Sequence, residues 1–254
     1  MIGLCMAWAF SAHAAAAESV TLAPPLYPSP AFTPSGPAGA RGALVWLHGS
    51  YDTDLFPTSP AEPLVIRRFA TLGWDIWRFD RTPGRDPLAP GGEALATGLR
   101  RLRAAGYAHM LVAGHSRGAF IALFALHDTS LADGYLLLSP AAHGSRPERR
   151  PQAIADFSAL LDTAAPAPNT RIAIAQFTGD ALDPDPARRR DLLLRMARRT
   201  GIRVHSIFLP RAPNGHMGAY DGDFDVIFGE QLAKFLTPGA QTSPSPQAGR
   251  SSGR

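Results

Sequence analysis

Apolar residues along this chain fall into two alternating patterns. Short, nearly unbroken apolar runs lie at 42–49 (GALVWLHG), 74–80 (WDIWRFD), 108–114 (AHMLVAG), 134–140 (GYLLLSP), 171–177 (RIAIAQF) and 203–209 (RVHSIFL). Each has the length of a buried strand rather than of a helix. Between them the spacing turns helical. The segment 61–73 brings Leu64, Ile66, Phe69 and Leu72 near one face and stops at Gly73, and 92–106 aligns Leu95, Leu99 and Leu102 before Gly106. Residues 186–201 and 224–236 are amphipathic, the first opening on Pro186 and closing on Gly201. Residues 117–127 (RGAFIALFALH) are small and apolar all round, as in a helix buried against a sheet. Strands that alternate with helices and are apolar on both faces predict an α/β fold: a mostly parallel central sheet covered by helices on both sides. In such sheets ligands sit beyond the carboxyl ends of the strands, so chemistry is expected in the loops that follow strands.

The two ends of the chain read differently. Residues 2–10 are apolar and 12–17 are small, and Ala12-His13-Ala14 and Ala15-Ala16-Ala17 both fit the small-x-small rule for cleavage. Residues 1–17 are therefore expected to be a signal peptide, and the protein to be exported to the periplasm or secreted. The run is too short to span a membrane, so no membrane span is expected. Residues 18–40 read as an extended lead-in and 238–254 as a disordered tail, too poor in apolar residues to bury. One domain, 41–237, remains. Cys5 is the only cysteine and falls in the leader, which removes disulfides, thiol catalysis and Cys-type zinc sites from the mature chain. The net charge of +4 comes from 25 basic residues of which only Lys234 is lysine. The arginines are scattered and not interleaved with aromatics, so no nucleic-acid partner is expected.

Candidate chemistry centres on Gly114-His115-Ser116-Arg117-Gly118, between a predicted strand and a predicted helix. The Gly-x-Ser-x-Gly pattern arises by chance in roughly one chain in seven of this composition, so the context decides. A tight strand-to-helix turn needs small residues at its flanks and lifts the serine hydroxyl to a helix N-terminus, where negative charge is stabilised. Ser116 is thus the candidate nucleophile, with the N–H of Arg117 as an oxyanion donor. Serine needs a base. His48, His143 and His216 follow predicted strands, and His216 lies in a loop with two glycines after the last strand, well placed to reach across. His115 is expected only to pack beside the turn. The acid that orients the base should follow the strand 171–177, where the loop TGDALDPDP offers Asp180, with Asp183 as the alternative. Asp185 reads as the cap of the next helix.

The order Ser116, Asp180, His216 resembles that of the α/β-hydrolase superfamily, and the likeness covers about 40–237. Leu47-His48-Gly49-Ser50 looks like that family's oxyanion segment. The resemblance then implies close backbone approach at Gly49, a second oxyanion donor in the N–H of Ser50, and a bracing role for His48. The Asp-then-Pro loop at 180–184 is similar to the family's acid loop and supports Asp180. No metal or organic cofactor is implied. The stretch 139–169, where relatives insert a lid, is short, so no large cap domain is expected. The family reading is a small-molecule acyl substrate: a small ester or lactone, as in dienelactone-hydrolase-like and carboxylesterase-like members. Tyr51, His143 and Tyr220 are candidate pocket residues. Asp80 and Arg81 are expected to form a structural ion pair, and the Arg117 side chain to pair with an anionic substrate or a nearby Asp. A small peptidase or acylaminopeptidase with the same triad, and a non-catalytic binding protein on the same fold, are the alternatives.

Overall fold

The computed structural model describes residues 26–50, 61–81, 86–144, 146–183 and 185–237. The expected leader (1–17), the first part of the lead-in and the tail (238–254) lie outside these residues. The described chain forms a seven-stranded sheet in the order β1-β3-β2-β4-β5-β6-β7. The strands are β1 (Leu26–Pro28), β2 (Gly42–Leu47), β3 (Trp74–Phe79), β4 (Met110–His115), β5 (Gly134–Leu138), β6 (Arg171–Gln176) and β7 (Arg203–Phe208). All neighbours pair in parallel except β1, which runs antiparallel to β3 at the edge. This edge strand arises within the lead-in, where three residues carry too little pattern to be read from sequence.

The helices are α1 (Leu64–Thr71), α2 (Leu88–Ala104), α3 (Arg117–Phe124), α4 (Arg150–Asp162), α5 (Pro186–Thr200), α6 (Gly222–Phe224) and α7 (Glu230–Leu236), with a π-helical turn, Asp225–Gly229, joining the last two. Every residue of β2, β3, β4 and β5 is buried, which explains their unbroken apolar runs. Side chains alternate between the two faces. Ala43, Val45 and Leu47 join the core under α2–α5, while Leu44 and Trp46 join the core under α1, α6 and α7. Burial of each large side chain there contributes about 1.5–3 kcal/mol.

Register lines up the carboxyl ends of the strands. Leu47 pairs with Gly114, His115 with Leu138, Leu138 with Ala175, and Gln176 with Phe208. The loops holding Ser50, Ser116, Ser139, Asp180 and His216 therefore leave the same edge of the sheet. Asp185 caps α5 as expected, its carboxylate accepting the Arg188 N–H at 3.0 Å. The lid position holds one helix, α4, preceded by a short 3₁₀ turn at Pro147–Arg149. No helix among the described residues is long and apolar enough to cross a membrane.

Candidate active site

A single residue, Ser116, separates β4 from α3. Its backbone sits at φ 54°, ψ −120°, a conformation that non-glycine residues avoid. Surrounding bonds hold it there. The Ser116 N–H donates to the Leu138 carbonyl at 2.9 Å, and its own carbonyl accepts the Ala141 N–H at 3.2 Å. The flanking glycines are required by contact. A Cβ on Gly118 would lie 2.4 Å from the Leu47 carbonyl oxygen, and one on Gly114 would lie 2.5 Å from the Gly118 carbonyl. The turn is thus wedged between β2 and its own helix, and Ser116 projects at the helix N-terminus.

The loop after β7 brings His216 to Asp180. His216 Nδ1 lies 3.0 and 2.9 Å from the two carboxylate oxygens. A carboxylate only accepts, so Nδ1 carries the proton and Nε2 is left as the basic nitrogen. Asp180 is buried, and its Oδ1 also accepts the Leu182 N–H at 2.8 Å. The two loops are stitched together by the Gly215 N–H, which donates to the Thr178 carbonyl at 2.8 Å. Asp183, the alternative acid, is carried elsewhere. Its Oδ2 accepts from Gln176 Nε2 at 2.8 Å, and its Oδ1 lies 3.3 Å from Arg189 Nη1. Arg189 is fully buried, with its guanidinium over the rings of Phe120 and Phe157. Burial pushes Asp183 up and Arg189 down despite their mutual attraction.

His115 does more than pack. Its Nε2 lies 2.9 Å from the His216 carbonyl oxygen, which can only accept, so Nε2 carries the proton. The Ser139 hydroxyl donates to the same oxygen at 2.9 Å. The His115 and His216 rings are 4.8 Å apart. Burial pushes His115 down to about 4, so it is neutral at neutral pH. Sequence reasoning missed both anchors: β4 and β5 are sequence-distant from His216, and nothing local marks Ser139 as its partner.

The other expected residues divide. A Cβ on Gly49 would lie 3.2 Å from the Ser116 Cβ, so the segment 48–50 passes directly beside the serine. His48 is buried and, pushed down to about 4 by burial, neutral; its Nδ1 lies 2.7 Å from the Gly49 carbonyl oxygen. The Arg117 side chain contacts the Ser50 hydroxyl at 3.2 Å, the Asp86 carboxylate at 3.2 Å and the Ala142 carbonyl at 2.9 Å. Arg81 does not pair with Asp80. Asp80 takes Arg78 at 3.4 Å, and Arg81 turns inward to Asp86 at 3.2 Å. Of the pocket candidates, Tyr51 lies outside the described residues. His143 is engaged by Asp156 of α4 at 2.7 Å, which ties the loop after β5 to that helix. Tyr220 packs edge-on against His115, ring centroids 5.2 Å apart, and against Trp46. A cavity of about 460 Å³ lies at the opposite, amino ends of the strands, lined by Arg41, Trp74, His109 and Arg171 among others, away from Ser116.

The parallel sheet with one antiparallel edge strand, and a serine at the β4–α3 turn, define the α/β-hydrolase fold. Solved structures share it. An esterase from Pyrococcus furiosus superposes with a TM-score of 0.55 at 14% identity, covering 78% of this chain and 81% of its own. Est1E from Butyrivibrio proteoclasticus gives 0.55 at 13% identity over 80% and 90%. An acylaminoacyl peptidase from Pyrococcus horikoshii gives 0.56 at 11% identity, covering 81% of this chain but only 39% of the longer protein. No protein-family model and no curated protein matches the chain.

Proposed function

We propose that this protein is a serine hydrolase that cleaves a small ester or lactone through Ser116, His216 and Asp180. The observation that carries the reading is the two-oxygen contact of Asp180 with His216 Nδ1, on the sheet edge where Ser116 is held in its strained turn. As Ser116 Oγ bonds to the substrate carbonyl carbon, its proton passes to His216 Nε2 and the carbonyl π electrons move onto oxygen. Asp180 stabilises the imidazolium that forms. The N–H groups of Ser50 and Arg117 face the oxyanion, each worth about 10²–10³ in rate. Collapse expels the alcohol, which takes the proton from His216. A water, deprotonated by His216, then releases the acid and restores Ser116. The short lid region, with α4 alone, leaves a compact site suited to small acyl groups.

The test is labelling with a fluorophosphonate probe, on the wild type and on Ser116→Ala, followed by p-nitrophenyl esters and aminoacyl anilides. Labelling lost in Ser116→Ala, with ester turnover, is the expected result. A wild type that is unlabelled and inert would refute the reading, and anilide turnover exceeding ester turnover would move it to a peptidase. We also propose that the chain is exported, from its apolar 2–10 run and the small residues that follow. N-terminal sequencing of the protein recovered outside the cytoplasm checks this. Recovery of the protein in the cytoplasm alone, with Met1 intact, would refute it.

A further inference from the structure

Arg81 is a buried arginine beside the Gly49 segment that passes Ser116, and its hydrogen bonds go to His48, Gly49 and Asp86. Its side chain is fully buried. Nη2 donates to the Gly49 carbonyl at 2.6 Å, Nη1 donates to the His48 carbonyl at 2.9 Å, and Nε donates to Asp86 Oδ1 at 3.2 Å. Its backbone N–H donates to His48 Nε2 at 3.3 Å. That bond sets the tautomer of His48: Nε2 accepts, so Nδ1 carries the proton and donates to the Gly49 carbonyl at 2.7 Å. The Gly49 carbonyl is thus gripped from two sides.

A trans peptide is planar, with its C=O and N–H pointing in opposite directions. Gripping the Gly49 carbonyl therefore turns the Ser50 N–H away from Arg81. Rotation of this peptide would break both bonds and leave Nη2 of the buried Arg81 without an acceptor. Glycine at 49 offers little resistance of its own to that rotation, having no Cβ. The restraint comes from Arg81 and His48.

The second amide is tied to the same device. Asp86 places its other oxygen, Oδ2, 3.2 Å from Nε of Arg117, the residue whose N–H follows Ser116. Its backbone carbonyl also accepts from Arg117 Nη1 at 3.4 Å. One carboxylate therefore bridges the arginine that holds the Ser50 peptide and the arginine that carries the other donor.

We propose that Arg81 and Asp86 are positioning residues that lock the two oxyanion amides, those of Ser50 and Arg117, into a preformed hole. This rests on the serine-hydrolase reading above. It assigns Arg81 a role in transition-state binding that runs through the Gly49–Ser50 peptide.

The test uses the full-length protein with p-nitrophenyl acetate, 4-chlorophenylboronic acid as a tetrahedral mimic, and fluorophosphonate titration to count active sites. Arg81→Lys keeps the charge but cannot reach both carbonyls and Asp86 together. It is expected to lose roughly 10²-fold in kcat per active site with KM within about threefold. Boronate affinity should weaken by a similar factor. Asp86→Asn, at a partly exposed position that tolerates change better, is expected to lose about tenfold in the same two quantities. Should Arg81→Lys not fold, Asp86→Asn carries the test alone. A purely structural role would lower the titrated active fraction while leaving kcat per site and boronate affinity unchanged, and that result overturns the proposal. A wild type that hydrolyses the ester beside unaltered variants sinks this inference alone. An inert, unlabelled wild type sinks the hydrolase reading and this one with it.

Discussion

Asp180 and Asp183 are three residues apart, and exchanging each for Asn should separate catalysis from stability. Asp180 touches His216 with both oxygens, the nearer at 2.9 Å. In the proposed mechanism the imidazole is cationic in the transition state, and at an effective dielectric of about 20 the pair is worth at most about 6 kcal/mol. Asn at 180 removes that charge and can point its NH₂ at Nδ1, favouring the wrong tautomer. The expected loss is about 10⁴-fold in kcat, which corresponds to about 5.5 kcal/mol. The melting temperature should move little, because Asn retains the shape and can still accept from the Leu182 N–H. Asp183→Asn does the reverse. It leaves Arg189, fully buried, without its anionic partner. Burial already disfavours the charged form of both residues, so the pair adds little net stability, but removing one partner costs about 3–5 kcal/mol. For a domain of this size that lowers the melting temperature by roughly 6–20 °C. The assay is kcat on p-nitrophenyl acetate, corrected for active sites, beside thermal melting by circular dichroism. If folded Asp183→Asn loses more kcat than Asp180→Asn, the assignment of the acid is wrong.

Three further outcomes are expected. Ser139→Ala removes one of the two donors on the His216 carbonyl, and a net hydrogen bond of about 1 kcal/mol predicts a loss of roughly fivefold in kcat at constant KM; an unchanged kcat would show that His115 suffices. Gly118→Ala drives a methyl into the Leu47 carbonyl at 2.4 Å, where only backbone could yield, and should destabilise by about 1–3 kcal/mol or more, a melting temperature within 1 °C of wild type being the contrary result. Buried His48 and His115 both sit near pKa 4, below the ordinary 6.5, so the unfolded chain binds more protons between those values. Stability from this source is complete above about pH 6.5 and is lost as pH falls toward 4; melting curves should show that decline, and His115→Gln should flatten it.

Much of the architecture is written in local pattern. Unbroken apolar runs mark strands buried on both faces, and spaced leucines such as Leu95, Leu99 and Leu102 mark the buried side of α2. These signals depend on period and length alone, so they survive without knowledge of partners. The turn at Ser116 is legible for a related reason, since Gly114 and Gly118 answer to contacts with the adjacent strand and the turn's own helix. The edge strand β1 was not legible, because three residues pairing with β3 leave no periodic trace.

The α/β layering, the strand-following loops, and the chain order in which Ser116, an aspartate and His216 appear are all readable from the linear chain. Which side chains meet is fixed by the folded packing. A turn in which the Asp183 N–H donates to the Asp180 carbonyl sends one aspartate to His216 and the other to Gln176 and Arg189. Arg81 leaves its neighbour Asp80 for the carbonyls of His48 and Gly49, more than thirty positions away in the chain. His115, at the end of β4, and Ser139, just after β5, converge on one carbonyl. The physical reason is common to all of these. Periodicity records burial, which each segment expresses on its own, whereas a hydrogen bond is a property of two groups, and its second group is chosen by the packing of the whole.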